Sequence, residues 1–196
     1  MGIGEKAAVF LDRDGVILEL VDYLHRAEDL RLMPGIGDAL QALNRTNIPV
    51  IIITNQSGVA RGILSEEKLA ELHELMKSLL AEAGAHVDAI YYCPHHPEAG
   101  FAPYRRTCNC RKPAPGMILR AAAEFNIDLA RSVFIGDTRA DMTAAHNAGV
   151  GTTILVLTGH GTTEYAALEL ESVRPTNVVP GAPTAVHTLL ESGNDA

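Results

Sequence analysis

The stretch Ala7-Ala8-Val9-Phe10-Leu11-Asp12-Arg13-Asp14-Gly15 decides how the rest of this chain is read. Five apolar residues with no polar face suit a parallel strand buried on both sides. The run stops at Asp12, with a second carboxylate two residues on and Gly15 permitting a sharp turn. Working outward, apolar and β-branched runs recur at residues 49–54, 87–92, 132–136 and 152–157, with 177–179 as a sixth. Helical patterns lie between them. One opens at Pro34-Gly35, with Ile36, Ala39, Leu40 and Leu43 on one face. Another starts with Ser65 as N-cap and Lys68 at N3, carries Leu69, Leu72, Met76 and Leu80, and ends at Gly84. A third runs from Pro115-Gly116 to about Phe125, a fourth over 139–147 is closed by Gly149, and a last covers 182–190.

Strands spaced by helices imply right-handed βαβ units, and so an α/β, three-layer αβα Rossmann-like fold with a mainly parallel sheet. Residues 1–192 are expected to form one domain without a separate cap, and 193–196 a flexible tail. The segment 158–176 shows no legible pattern. In such sheets ligands gather at the carboxyl ends of the strands. Those ends carry Asp12, Thr54, Cys93 and Asp137.

The 196 residues hold 24 acidic side chains against 16 Lys+Arg, a formal charge of −8, and are 47% apolar. That apolar content excludes a disordered chain, and no run approaches the roughly 18 apolar residues of a membrane span. Nothing at the start resembles a secretory signal, and Lys6 stands where a myristoylation signal wants Ser or Thr. The acidic balance argues against a nucleic-acid-coating protein. A monomer in the cytoplasm, without nucleic-acid or membrane partners, is expected.

Four polar segments could carry chemistry. Asp12 and Asp14 can serve as nucleophile and general acid/base beside a metal, although an ordinary Asp-Gly turn looks the same. The hydroxyl and amides of Thr54-Asn55-Gln56-Ser57-Gly58 could hold anionic oxygens, where a polar turn is the plainer reading. Lys112 is a fixed cation before a helix. Asp137, in Gly136-Asp137-Thr138-Arg139-Ala140-Asp141, could complete a hard-metal site; Asp141 also suits a first helical turn for its charge alone. Separately, Cys93-Pro94-His95 and Cys108-Asn109-Cys110 are the set a closed structural zinc site uses, in a loop over 93–110. His96 is the rival imidazole; His95 is preferred because its spacing mirrors Cys-x-Cys.

Asp-x-Asp-Gly, then a strand-end Thr, then Lys, then Gly-Asp-x-x-x-Asp, in this order, resembles the haloacid-dehalogenase (HAD) phosphohydrolase superfamily. The resemblance covers nearly the whole chain. It implies an aspartyl-phosphate mechanism with Asp12 as nucleophile and Asp14 as general acid/base. Mg²⁺ would be held by Asp12, the Asp14 backbone carbonyl and Asp137. Thr54 and Lys112 would neutralise the phosphoryl oxygens, and Asp141 would help position the lysine–metal array. Capless members with a zinc loop here form two close groups, heptose-1,7-bisphosphate 7-phosphatases and histidinol-phosphatases. The run 54–62, Tyr91-Tyr92-Cys93-Pro94-His95-His96-Pro97 and Cys110-Arg111-Lys112-Pro113 are similar to the heptose group. That similarity implies a small phosphorylated sugar as substrate, in nucleotide-activated heptose (lipopolysaccharide or S-layer glycan) biosynthesis. Asn55, Gln56, Arg111 and Arg61 are then expected to contact substrate, with Tyr23 and His25 on a substrate-facing loop. Thr138 is assigned no role. The zinc loop is expected to hold Arg105, Arg106, Arg111 and Lys112 near the site. The alternatives are a histidinol-phosphatase, another small sugar-phosphate phosphatase, or an inactive zinc-ordered binding protein.

Overall fold

The computed structural model describes residues 6–168 and 173–193. Six parallel strands make one sheet in the order β3-β2-β1-β4-β5-β6. They are β1 (Val9–Leu11), β2 (Val50–Asn55), β3 (Ala89–Cys93), β4 (Val133–Gly136), β5 (Thr152–Val156) and β6 (Asn177–Val179). Leu11 lies opposite Ile52 on one side and Ile135 on the other, so β1 is central and the strand order reverses beside it. A crevice opens at that switch point, outside the strand carboxyl ends.

Side-chain alternation along the strands builds the two outer layers. Val9, Leu11 and Ile52 face one way, onto α1 (Ile36–Asn44), α2 (Glu66–Glu82) and α6 (Ala182–Gly193). Phe10, Ile51, Ile53 and Phe134 face the other way, onto α3 (Gly116–Phe125) and α4 (Arg139–Ala148), with the Phe10 and Phe134 rings 6.4 Å apart. Both faces being covered explains why these strands read as unbroken apolar runs. The α2 helix starts where Ser65 Oγ accepts the Lys68 N–H at 3.2 Å, and its stripe of Leu69, Leu72, Met76 and Leu80 is buried.

Several boundaries differ from expectation. The third strand begins two residues later and takes in Cys93, because Asp88 uses its carboxylate to receive the Val50 N–H at 2.7 Å and so closes the ladder from outside. The last helix continues through Gly193, which therefore closes a helix; residues 194–196 of the expected tail lie outside the described residues. The illegible segment contains α5 (Gly161–Leu168), packed on β5 and α4. The connection from β1 to α1 carries a 3₁₀ turn (Ala27–Asp29) and buries Val16, Ile17, Leu18, Leu24 and Leu30 in the main core. It is a flap on the sheet, and no separate cap stands among the described residues.

Candidate active site

Lys112 binds the site together. Its Nζ lies 2.9 Å from Asp12 Oδ1 and 2.6 Å from Asp141 Oδ1, and donates to the Ile53 carbonyl at 2.7 Å. With 4% of its surface exposed, the ammonium is spent on these three acceptors. Burial alone would lower its pKa, but Asp12 and Asp141 hold it above the ordinary range. Asp12 follows β1 directly and Asp137 follows the adjacent β4. Burial pushes the Asp12 carboxyl up to about 7 against the pull of Lys112, with Asp141 and Asp14 adding repulsion. Burial, Asp12 and Asp141 push Asp137 to about 8.

These residues fit a hard divalent cation. Ligand atoms of Asp12, Asp137 and Asp141 lie within 4.8 Å of one another. Asp137 Oδ2 accepts the His160 N–H at 2.8 Å, while its Oδ1 is buried with no hydrogen-bond partner among the described residues. Three buried carboxylates against one ammonium leave an excess of negative charge that oxygen-seeking Mg²⁺ would neutralise.

Asp14 sits under a different set of donors. The buried Arg13 guanidinium grips its carboxylate through Nε–Oδ1 at 3.0 Å and Nη2 at 2.9 Å from both oxygens. Gln56 Nε2 donates to Asp14 Oδ2 at 2.8 Å and to Thr54 Oγ1 at 3.0 Å. Asn55 clamps the backbone of Lys112, receiving its N–H at 3.0 Å and donating to its carbonyl at 3.1 Å. Asn55 and Gln56, expected to face substrate, thus line the cavity with their amides committed to site residues.

Two further segments shape the wall. Thr138, assigned nothing beforehand, is the N-cap of α4 and forms a capping box with Asp141, its hydroxyl donating to Asp141 Oδ2 at 2.6 Å. Thr158 donates to the Gly15 carbonyl at 2.6 Å, which draws the 158–160 turn against Asp137. Gly15 has φ +80°, and a Cβ there would strike the Asp137 carboxylate and come within 2.8 Å of Gly159 Cα. Thr158 and His160 were not legible because they act across a long loop, and Arg13 because its anchor, His73, lies 60 residues away. The Thr138-x-x-Asp141 spacing was the one signal that could have found Thr138.

The site opens into a cavity of about 980 Å³ walled by the carboxylate–lysine cluster, Tyr23, Arg139, His160 and Glu164. Arg61, Arg111 and His25 lie outside its wall. His25 is exposed and its Nδ1 turns back to the Tyr23 carbonyl at 2.7 Å. Arg111 Nη1 donates to the His95 carbonyl at 3.3 Å, and the Arg61 guanidinium lies 5.5 Å from the Tyr23 ring centre. Arg61 also stands 3.4 Å from His96 Nε2, so Arg61 forms a basic rim beyond Tyr23. Arg105 and Arg106 are exposed on the loop and do not reach the wall, since their backbones, not their side chains, tie into it through Phe101 and His96.

At the end of β3, Cys110 Sγ lies 3.2 Å from Cys93 and Cys108 Sγ, and Cys93 and Cys108 are 3.6 Å apart. His95 Nδ1 stands 3.4 Å from Cys110 and 3.6 Å from Cys93. The edges approach the about 3.8 Å of a tetrahedron with zinc–sulfur bonds of about 2.3 Å. His96 is turned away, its Nδ1 receiving the Glu98 and Ala99 N–H groups at 3.2 and 2.8 Å. A tetrahedral thiolate–imidazole set of this kind fits zinc.

The fold and this carboxylate–lysine site define a phosphoric monoester hydrolase of the HAD-like class. The HAD-hydrolase-like family model matches residues 109–185. A D-glycero-beta-D-manno-heptose-1,7-bisphosphate 7-phosphatase of Vibrio cholerae is 48% identical over 173 residues, covering 86% of this chain and 93% of the relative. Its counterpart in Escherichia coli K12 is 43% identical over 159 residues, covering 81% and 83%. The solved D,D-heptose 1,7-bisphosphate phosphatase of B. bronchiseptica, complexed with magnesium and phosphate, has a TM-score of 0.85 at 35% identity and covers 95% of this chain and 99% of that one. The chain belongs to the family of D-glycero-beta-D-manno-heptose-1,7-bisphosphate 7-phosphatases.

Proposed function

We propose that this protein removes the 7-phosphate of D-glycero-β-D-manno-heptose 1,7-bisphosphate, releasing the 1-phosphate for nucleotide-activated heptose synthesis. The β anomer is favoured by the names of the relatives. The observation that carries the chemistry is Asp12, fixed by Lys112 at 2.9 Å and by the Arg13 N–H at 2.7 Å, at the end of the central strand. Asp12 attacks phosphorus in line and forms an aspartyl-phosphate as the phosphorus–oxygen bond to the sugar breaks. Asp14, at the cavity mouth, protonates the departing sugar oxygen and then takes a proton from the water that hydrolyses the intermediate. Lys112 and the Thr54 hydroxyl stabilise charge on the phosphoryl oxygens. Asp12, Asp137 and the Asp14 carbonyl would hold Mg²⁺, which supplies further neutralisation of the transferring group when bound. Asp141, pinned by Thr138, orients Lys112. Arg61 and Arg111, beyond the cavity wall, suit the remote phosphate through bidentate guanidinium contacts.

The cysteine cluster has no open position, so its role is to order the loop that carries Arg111 and Lys112. Asp12→Asn should abolish Mg²⁺-dependent phosphate release; activity surviving that change would refute the nucleophile. Specificity is tested by kcat/KM over the two heptose bisphosphate anomers, fructose 1,6-bisphosphate and histidinol phosphate. A preference for either of the last two would overturn the assignment.

A further inference from the structure

Arg13 is buried to 1% exposure in the cavity wall, and its guanidinium is spent on Asp14 and on one other side chain. That other side chain is His73, from the middle of α2, whose Nε2 lies 3.2 Å from Arg13 Nη1. A guanidinium has no lone pair, so His73 must accept, and the ring is neutral with its proton on Nδ1. Its surroundings agree: His73 is 6% exposed, its ring centre is 5.8 Å from that of Tyr92, and burial together with Arg13 presses its pKa down to about 3. A guanidinium is planar and rigid, so anchoring Nη1 sets the direction in which Nε and Nη2 present their fork to Asp14.

We propose that His73 is a positioning residue for the acid/base carboxylate, fixing Asp14 through Arg13 so that it meets the leaving sugar oxygen. The proposal rests on reading Asp14 as the general acid. It makes α2 part of the catalytic apparatus, because His73 stands among the helix's buried Leu69, Leu72 and Met76. No other group in the mechanism reaches Arg13 from that side among the described residues.

Leaving-group dependence separates positioning from a merely structural role. An alkyl phosphate such as the heptose bisphosphate needs a proton on its leaving oxygen, whereas 4-nitrophenyl phosphate does not. His73→Phe, which keeps a ring against Tyr92 but offers no acceptor, should lower kcat/KM on the heptose bisphosphate about tenfold and leave 4-nitrophenyl phosphate within about twofold. His73→Gln, whose amide oxygen can accept, should restore the heptose rate. Equal losses on both substrates, no loss on the heptose compound, or failure of His73→Gln to restore it would each overturn the proposal. His73→Leu replaces His73→Phe if thermal melts show the latter unfolded. Asp14→Asn is the control. Selective loss there but not in His73→Phe overturns the positioning role alone, and no selective loss in Asp14→Asn overturns the acid assignment itself.

Discussion

Lys112 has its charge shared among Asp12, Asp141 and the Ile53 carbonyl with almost no solvent contact. Replacing it leaves two buried carboxylates without their cation and, on the proposed mechanism, removes a stabiliser of phosphoryl charge. Lys112→Met is expected to lower kcat by about 10²–10³-fold in steady-state assays at saturating Mg²⁺; a loss under about tenfold would contradict that role. His73 makes a prediction about stability. Arg13 and Lys77 disfavour its protonation and Asp14 favours it, with burial dominating. The ordinary value of 6.5 applies in the unfolded chain and about 3 in the folded one. Above 6.5 neither state binds the proton; as pH falls below it the unfolded state alone does, so stability declines. At about pH 5.5 the loss is about 1.4 kcal/mol, or about 3–6 °C in Tm for a chain of this size. His73→Gln should remove that part of the decline, and parallel Tm–pH curves for the two proteins would contradict it.

Elements fix the distances that residues use. The turn after β1 works because Gly15 adopts φ +80° where the 158–160 turn and Asp137 press against it. Gly15→Ala should lower Tm by the equivalent of about 1–2 kcal/mol for the backbone alone and weaken Mg²⁺ activation, since the new methyl displaces Asp137. Unchanged Mg²⁺ dependence would show that the turn does not set that carboxylate. The cysteine loop is a second such device. Cys110 is two residues from Lys112, and Arg111 is tied to the His95 carbonyl. Removing zinc while Mg²⁺ remains should loosen the loop and raise KM for the bisphosphate. Unchanged kinetics in verified zinc-free protein would sink that link. These elements were legible to different degrees. Strands ending at Asp12 and Asp137 stood out because they are apolar on both faces and then stop at a charge. The 3₁₀ turn, the 158–160 turn and the Arg13–His73 contact did not, because they depend on pairings between distant segments that no local period records. The basic rim was half legible: the sequence marks which arginines exist, while their placement beyond Tyr23 follows from loop geometry.

At the scale of the molecule, a chain of formal charge −8 meets an anionic substrate. No acidic residue occurs between Glu98 and Glu124, while Arg105, Arg106, Arg111, Lys112 and Arg120 all fall there. Of these, Lys112 alone lines the cavity, Arg111 lies just outside its wall, and Arg120 pairs with Glu124, so the remote phosphate would meet Arg111 and not the −8 average. Arg111→Ala should lose more kcat/KM on the bisphosphate than on a monophosphate, by about tenfold; equal losses would reassign Arg111 to the transferring phosphate. No cap stands among the described residues, and the proposed order of events rests on Asp12 as a covalent waystation. The stereochemical course at phosphorus tests this most directly. With a substrate whose transferred phosphoryl group is made chiral by oxygen isotopes, two successive in-line displacements, the first by Asp12 and the second by water, predict net retention of configuration. Net inversion would mean that water attacks the substrate directly, and would contradict the account.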